Sequence, residues 1–317
     1  MTRATITIML LALALAPGVS ARARGDPFEG AKLYVDPDSN AARQAEEWRA
    51  SRPLDAMAMQ RIATRPQADW FGDWNTDIRG DVRARVSEIA AAGALPVLVA
   101  YNIPSRDCGG HSAGGARSER AYLAWLRGFA AGIGERRAAV VLEPDALAGI
   151  DCLRARARRA RLDLLRRGVR VLESRSAASV YIDAGHSGWN PVGVTVRRLR
   201  KAGIRRARGF ALNVSNFRLT ESELDYGHRI GATLDDKNFV IDTSRNGLGP
   251  APDGAWCNPP DRGLGRPATA ATADPLADAY LWIKPPGESD GACNGGPVAG
   301  AWWPEYALGL AQRAADR

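Results

Sequence analysis

Carboxyl side chains follow apolar runs at several points of this 317-residue chain, and their spacing is suited to acid–base chemistry. In the stretch VVLEPDALAG, residues 140–149, Glu143 and Asp145 flank a proline directly after a run of β-branched residues. Carboxyl groups crowded into one cleft cannot all ionise, because burial and like charges raise some of their pKa values. One protonated carboxylic acid beside ionised neighbours is the arrangement that hydrolysis of a glycosidic bond requires.

The candidate site residues that follow these runs are acids, amides and a few cations. The acids are Asp107, Glu143, Asp145, Asp183, Asp242, Glu288 and Asp290. Their cationic and neutral neighbours are Arg245, Lys284, Asn102, Asn213, Ser215 and Asn216. Acids of this kind could also bind a divalent metal through oxygen ligands. Zinc prefers histidine and cysteine ligands, whereas the chain has three histidines, of which His186 is more typical of a hydrogen-bonding anchor. We therefore predict hydrolysis without a metal or another cofactor.

Tryptophans form the second group of candidate residues, because pyranose rings present flat C–H faces that pack on indole. The tryptophans in loops or at strand ends are Trp70, Trp74, Trp189, Trp256, Trp282, Trp302 and Trp303. Packing in the core is the alternative for each of them. Trp189 and Trp256 lie in stretches rich in glycine, asparagine and proline, so we predict that both lie outside the core.

The elements that must position these residues are apolar runs that alternate with helical patterns. The strand-like runs are residues 31–35, 95–101, 138–143, 178–184, 208–214, 238–242 and 279–284. Helical patterns at 76–93 and 118–134 both end in glycine, and Ser118 is placed as an N-cap. Apolar strands that alternate with helices pair in parallel and are buried on both faces. Seven of them predict an α/β fold, a TIM-like β/α barrel in one domain of residues 25–317, with its active site at the C-terminal ends of the strands.

The net charge of +8 is concentrated in the run LRARARRARLDLLRRGVR, residues 153–170. A polyanion-binding arm is one interpretation of this run. Apolar residues at positions 153, 157, 160 and 164 favour another, since their spacing gives a helix one apolar stripe and leaves the arginines in solvent. Because no aromatic residue interrupts the basic run, we predict no nucleic-acid binding.

The N-terminus has the pattern of a secretory signal peptide, which we predict over residues 1–21. Arg3 precedes an apolar run at 6–16, and a Pro-Gly pair and small residues at 19–21 follow it. The run is too short to span a bilayer, so we expect a secreted protein that leaves the membrane after cleavage. The four cysteines then favour two disulfides, for which the sequence allows three pairings.

A set of colinear motifs carries a family resemblance. The motifs are LVAYNIPSRDCGG, VVLEPDALA, YIDAGHSGW, NVSNF, VIDTSRNGLGP, WCNPPDRGLG and LWIKPPGESDG. Together they resemble glycoside hydrolase family 6, the inverting cellulases, in order from about Tyr34 to Tyr306. The resemblance implies a distorted seven-stranded β/α barrel. It also implies hydrolysis of internal or terminal β-1,4 bonds with inversion and without a covalent intermediate.

The resemblance also assigns roles to individual residues. It makes Asp145 the acid that protonates the leaving oxygen and Asp107 the acid that raises the pKa of Asp145 and helps to place the water chain. Tyr101 then crowds the reactive sugar, and Asp290 is a disputed candidate for the base. The predicted substrate-binding residues are Trp70, Asp183, His186, Trp189, Asn213, Asn216, Trp256, Trp282, Lys284 and Glu288. The implied disulfides are Cys108–Cys152 and Cys257–Cys293.

One position departs from the family pattern, because Ala113 stands where a water-holding serine is usual and Ser112 precedes it. Either Ser112 replaces that serine through a shifted loop, or the proton chain runs through waters and a carbonyl. The short, glycine-rich stretches 107–118 and 288–302 indicate an open groove, and so an endo-β-1,4-glucanase. We also expect a monomer. The alternatives are a cellobiohydrolase and a glucan-binding protein with weakened catalysis. We expect Glu143 to be structural, paired with a cation or a backbone amide.

Overall fold

The computed structural model describes residues 25–314 of the chain, so the predicted signal peptide lies outside the described residues. The strands are β1 Lys32–Leu33, β2 Asp69–Gly72, β3 Ala94–Leu95, β4 Val97–Tyr101, β5 Ala138–Leu142, β6 Ala178–Asp183, β7 Gly209–Leu212, β8 Asn238–Asp242 and β9 Ala277–Leu281. The α-helices are α1 Asn40–Trp48, α2 Pro53–Ala63, α3 Ile78–Ala91, α4 Glu119–Ile133, α5 Ala155–Arg175, α6 Val192–Ala202, α7 Thr220–Thr233 and α8 Pro304–Gln312. None of the helices described is long and apolar enough to cross a bilayer.

Seven parallel strands form the main sheet in the order β2-β4-β5-β6-β7-β8-β9. This confirms the predicted distorted seven-stranded α/β barrel, but one of the predicted strands is wrong. The run at 31–35 contributes only β1, which pairs with β3 in a separate two-stranded sheet. The seventh strand is β2, DWFG, which the sequence did not reveal because it has four residues and no run of β-branched side chains.

The barrel closes irregularly between its edge strands, since no ladder joins β2 to β9 among residues 25–314. Two hydrogen bonds bridge the gap instead. The Ala68 N–H donates to the Trp282 carbonyl at 3.0 Å, and the Trp70 indole N–H donates to the Ile283 carbonyl at 2.7 Å. The segment that follows β9 therefore lies beside the start of β2. Polar residues that follow these two strands reach the same end of the barrel, where the strands have their C-termini.

The core has a layer on each face of the curled sheet, because successive strand residues point to opposite sides. Inward-facing residues such as Val99 and Val141 pack with Phe28 inside the barrel. Outward-facing residues such as Leu98 and Val140 pack against helices α3 to α7. A third cluster joins α1, α2 and α8 beside the irregular closure. The fold thus leaves the C-terminal ends of the strands as the place where a cleft can form.

Two predicted helices keep their expected ends, whereas the basic helix turns a different face inward. Ser118 caps α4 by accepting a hydrogen bond from the Ala121 N–H at 3.1 Å, and Gly134 ends that helix with φ 60°. In α5, Ala157 is exposed, Leu164 is buried as predicted, and the buried stripe continues through Leu162, Leu165, Val169 and Leu172. The stripe begins later than predicted because the first turns carry small residues that have little area to bury. The prediction that the arginines stay in solvent is wrong for Arg161, which is buried and donates to the carbonyls of Pro104 and Ser105.

Candidate active site

A cleft of about 1630 Å³ crosses the C-terminal ends of the strands. It brings together most of the residues predicted from sequence. Those that line it are Trp70, Tyr101, Asp107, Asp145, His186, Trp189, Asn216, Trp256, Lys284, Glu288 and Asp290. Trp70 and Tyr101 lie in β2 and β4, and the others come from segments after six of the strands, so the sheet itself assembles the site.

Asp145 lies on the floor of the cleft, partly exposed, in the turn that follows β5. Its backbone adopts φ 67°, and its N–H donates to Asp183 Oδ1 at 2.9 Å. Burial, together with the negative charges of Asp107 and Asp290, raises the pKa of Asp145 to about 7. A carboxyl group with this pKa keeps its proton under mildly acidic conditions and can donate it to a ligand in the cleft.

Asp107, Ser112 and Tyr101 form a hydrogen-bonded chain along one wall. The Ser112 N–H donates to Asp107 Oδ2 at 2.8 Å, and the Ser112 hydroxyl lies 2.8 Å from the Tyr101 hydroxyl. Burial and the charge of Asp145 raise the pKa of the Tyr101 phenol, which therefore stays protonated. Ser112 thus contacts both Asp107, through its backbone N–H, and Tyr101, through its hydroxyl, although Ala113 occupies the position that the family pattern gives to serine.

Arg106 holds this wall in shape and was not among the predicted site residues. Its guanidinium donates to the Tyr101 carbonyl at 2.8 Å, the Ser112 carbonyl at 2.9 Å and Asp73 Oδ1 at 2.8 Å. It also lies 5.5 Å from the Trp74 ring centroid. Asp73 and Trp74 follow β2, so the failure to predict that strand concealed Asp73, whereas Trp74 was already among the candidate tryptophans. The arginine directly before Asp107 was a sequence feature that pointed to an acidic partner.

Asp290 is held on the opposite wall by a buried cation. Its Oδ2 accepts from Arg245 Nη1 at 2.9 Å and from the Asn258 N–H at 3.0 Å. The Arg245 side chain is 0% exposed, and its second Nη donates to the Ser215 carbonyl at 2.6 Å. The buried guanidinium needs a counter-charge, and the Asp290 carboxylate lies beside it. The negative charge of Asp290 also acts on Asp145, whose pKa it helps to raise.

Lys284 and Glu288 complete this side of the cleft. Lys284 Nζ lies 3.8 Å from Glu288 Oε2 and donates to the Ser289 carbonyl at 3.2 Å. The ammonium group also lies 6.0 Å from the Trp70 ring centroid. Burial raises the pKa of Glu288, while Lys284 and Arg245 oppose that rise. Charged and polar donors thus stand beside an indole face, which is an arrangement suited to sugar hydroxyls.

Three of the residues predicted to be catalytic or to bind substrate do not line the cleft. Asp183 is 1% exposed and accepts from the backbone of Asp145, so it supports the floor from below. Asn213 is 0% exposed, and its amide donates to the carbonyls of Asp242 and Arg218. Trp282 is 2% exposed, donates to the Arg266 carbonyl and packs in the third core cluster. The prediction that Trp282 stacks on sugar is corrected, because alternation along the chain after β9 turns it away from the mouth.

Aromatic side chains line the cleft along its length. Trp74, Trp189 and Trp256 expose 54%, 39% and 53% of their surface, which confirms that Trp189 and Trp256 lie outside the core. The Trp70 ring meets the Tyr101 ring edge-on, with centroids 5.2 Å apart. Burial and nearby Arg218 lower the pKa of His186 to about 4, so this residue is neutral and packs on Trp189. Flat apolar faces are therefore available at several points for a chain of rings.

Both disulfides implied by the family resemblance form, Cys108–Cys152 and Cys257–Cys293. The first ties the loop of Asp107 to the segment after Asp145, and the second ties the loop after β8 to the loop after β9. In the part of the chain that is described, His111, Cys257 and Cys293 are near enough to share a metal ion. Since both sulfurs belong to a disulfide, neither is a thiolate that could bind one.

Comparison with known proteins gives consistent matches along this chain. The family model described as "Glycosyl hydrolases family 6" matches residues 28–314. Endoglucanase A of Cellulomonas fimi is 45% identical over 285 residues, 89% of this chain, and the match spans 61% of that protein, less than two thirds of its length. Endoglucanase 1 of Streptomyces halstedii is 41% identical over 96% of this chain and 95% of its own length.

A solved structure shows the same arrangement of the chain. The endoglucanase Cel6 from Mycobacterium tuberculosis, in complex with a methyl-cellobiosyl-4-deoxy-4-thio-β-D-cellobioside, superposes with a TM-score of 0.86 at 45% identity. The superposition covers 91% of this chain and 99% of that one. Endoglucanase CEL6B from Humicola insolens gives a TM-score of 0.79 at 27% identity, covering 92% and 99% of the two chains.

Proposed function

Because the chain belongs to glycosyl hydrolases family 6, we propose that it is an inverting endo-β-1,4-glucanase that hydrolyses internal bonds of cellulose or related β-glucans. The observation that carries this proposal is the position of Asp145. Its carboxyl group lies on the cleft floor, and burial and the charges of Asp107 and Asp290 raise its pKa to about 7. The relatives at 41–45% identity are named endoglucanases, which supports the same activity.

In the proposed reaction, Asp145 donates its proton to the leaving glycosidic oxygen while a water molecule attacks the anomeric carbon from the opposite face. Inverting enzymes keep the acid and base carboxyl groups roughly 6.5–9.5 Å apart to admit this water. In this proposal the attacking water loses its proton to Asp107 through intervening water molecules, since the Ser112 hydroxyl bonds to Tyr101 and only the Ser112 backbone N–H bonds to Asp107. Asp290 is less suited to accept it, because its Oδ2 already accepts from Arg245 and Asn258.

Substrate binding uses the walls of the same cleft. Trp70, Trp189 and Trp256 offer ring faces for stacking, while Lys284, Glu288 and Asn216 offer polar groups for hydroxyls. The cleft is formed by one chain, so we propose that the protein acts as a monomer. Its two disulfides support action in an oxidising compartment outside the cytoplasm.

The second candidate function is exo action, in which the enzyme cuts from the ends of glucan chains. A contact between two loops beside the cleft favours it. His111, in the loop after β4, packs on Gly291, in the loop after β9, so closely that a Cβ at Gly291 would lie 2.3 Å from the Cβ of His111. A cover over the cleft at this point would favour release of cellobiose from chain ends.

A rapid fall in the viscosity of a soluble cellulose derivative, before most reducing ends appear, supports endo action, and cellobiose release without that fall supports exo action.

The stereochemistry of the product tests the reaction itself. NMR of a fresh cellotetraose digest should show the α-anomer at the newly formed reducing end before mutarotation, because inversion of a β bond gives α. The β-anomer as the first product would overturn the proposed mechanism. Binding of cello-oligosaccharides without any new reducing ends would leave a glucan-binding protein instead.

The role of Asp145 is tested by Asp145→Asn, which keeps the shape of the side chain but removes the acidic proton. We expect kcat on cellotetraose to fall by about 10²- to 10⁴-fold, the range for a lost general acid. The Kd for the same sugar, measured by calorimetry, should stay within about twofold, since ring stacking is untouched. Near-normal turnover would place the acid elsewhere.

A further inference from the structure

The loop after β6 carries Trp189 and His186 into the cleft, and helix α7 holds this loop from outside. Glu223 and Tyr226 lie one turn apart on α7. Glu223 Oε1 accepts from the Ser187 N–H at 2.9 Å, and the Tyr226 hydroxyl donates to the Asn190 carbonyl at 2.7 Å. The two anchored residues stand on either side of Gly188 and Trp189, so α7 fixes both ends of the segment that presents the indole.

The anchor at Glu223 is unusual because the carboxyl group is wholly enclosed. Glu223 is 0% exposed, and its Oε2 has no hydrogen-bond partner among the described residues. Burial raises the pKa of Glu223 to about 7, while its bonds to Ser187 oppose that rise. A buried carboxyl group is costly to maintain. Its role is local, because its Oε1 engages the backbone of a cleft loop.

Further contacts show that the loop has little room to shift. Arg218 lies so close to Gly188 that a Cβ there would be 2.4 Å from the guanidinium carbon. The Trp189 ring lies against Gly149 and Gly185, where an added Cβ would come within 3.4 and 3.2 Å of the indole. The position of the indole face therefore depends on the path of the backbone between the two α7 anchors.

We propose that Glu223, with Tyr226, is a positioning residue that sets the Trp189 indole as a binding platform for a glucosyl ring of the substrate. This inference rests on the proposed function, and it adds a determinant of affinity that lies outside the cleft. Glu223 touches neither the substrate nor Asp145, so its loss weakens binding at the Trp189 end without slowing the bond-breaking step.

The test compares Glu223→Leu, Trp189→Ala and the double variant. Glu223→Leu should raise KM for cellohexaose roughly fivefold, the loss that one net hydrogen bond gives, with kcat unchanged. Loss of binding that is equal in the ground and transition states leaves kcat intact. In the Trp189→Ala background, Glu223→Leu should add no further change, because the platform is already gone.

Two controls separate positioning from general stability. Glu223→Gln keeps an oxygen that accepts from Ser187 and should restore KM to within about twofold of the original value. Glu221→Gln removes a carboxylate of the same helix that pairs with Arg266 at the surface, and it should change neither KM nor kcat. If Glu223→Leu does not fold, Tyr226→Phe removes the other anchor, and the same comparison applies to it.

The outcomes are distinct. An unchanged KM in Glu223→Leu, or an equal rise with and without Trp189, overturns the positioning role. Calorimetry with cellohexaose runs in parallel on each variant. If no variant hydrolyses the sugar but the pattern of Kd values holds, the proposed function fails and the positioning role stands.

Discussion

Residues on and directly beneath the cleft floor keep backbone conformations that non-glycine residues rarely adopt. Asp145, Glu143, Asn213 and Ser215 have φ values of 67°, 53°, 64° and 59°. Such conformations cost of order 1–3 kcal/mol each and persist where the surroundings leave no alternative. The Asp145 N–H bonded to Asp183 illustrates this constraint. This backbone conformation directs the Asp145 carboxyl group into the cleft rather than along the strand.

At the scale of the residue, the pH profile should report the charges around Asp145. Since its pKa is about 7 and catalysis needs the protonated form, kcat should fall as the pH rises through that value. Asp107→Asn should lower kcat, since Asp107 is the proposed acceptor of the water's proton. It also removes one of the negative charges that raise the pKa of Asp145, so the alkaline limb of the remaining activity should move to lower pH. Profiles of kcat on cellotetraose between pH 4 and 9 measure the shift.

A matched control for this profile is Asp163→Asn, which removes a surface charge on α5. It should leave the alkaline limb in place, because exposed charges are screened by salt over about 10 Å. An alkaline limb that stays fixed in Asp107→Asn, or that moves to higher pH, would show that Asp107 does not set the proton affinity of Asp145.

At the scale of the element, buried carboxyl groups join the ends of neighbouring strands. Glu143, after β5, accepts from the backbone of Asn102 and Ile103, after β4, at 2.9–3.0 Å. This confirms its predicted structural role, with backbone amides as partners. Asp242, at the end of β8, accepts from the N–H groups of Ser215 and Lys284, after β7 and β9. Each carboxyl group therefore sets the position of turns that strand pairing alone would leave free.

Glu143 should also make stability depend on pH. Burial raises its pKa from 4.5 to about 7, so the folded protein binds a proton that the unfolded chain releases. The stability that this proton contributes is complete below pH 4.5 and is lost as the pH rises through 7. The side chain of Glu143→Gln cannot titrate. Between pH 5 and 8, the free energy of unfolding of this variant should therefore fall less than that of the original chain, by a difference of up to about 3 kcal/mol.

Urea unfolding of both proteins at pH 5 and pH 8 measures this difference. The exposed residue Glu135 provides the control, since Glu135→Gln should keep the pH dependence of the original chain. If Glu143→Gln loses as much stability as the original chain between the two pH values, the Glu143 proton does not contribute to folding.

At the scale of the whole molecule, the disulfides fasten loops that the sheet does not hold. The Cys257–Cys293 bond joins the loop after β8 to the loop after β9. These loops carry Trp256 and Asp290, which face the cleft. The Asn258 N–H also bonds to Asp290 across the two loops, and the disulfide adds a covalent limit on how far the loops can separate.

Replacing both cysteines, Cys257→Ser with Cys293→Ser, should lower the free energy of unfolding by about 2–4 kcal/mol, the usual effect of removing a disulfide. The KM for cellohexaose should rise as well, because Trp256 and Asp290 lose their fixed separation. Urea unfolding and steady-state kinetics measure both effects, with Cys108→Ser and Cys152→Ser as the matched pair. A variant with unchanged stability and unchanged KM would show that the Cys257–Cys293 disulfide does not shape the cleft.

The sequence by itself determined the α/β class, most of the sheet strands, the helix caps and the acids that reach the mouth. Those features depend on local patterns, namely apolar runs, capping residues and polar residues at strand ends. The motifs also indicated the family and both disulfides. Tertiary structure alone decided that Trp282 and Asn213 are buried, that Arg106 holds the wall of Asp107, and that the short β2 completes the sheet. Which way a side chain faces, and which distant partner it meets, depends on contacts between segments far apart in the chain, and no local pattern records them.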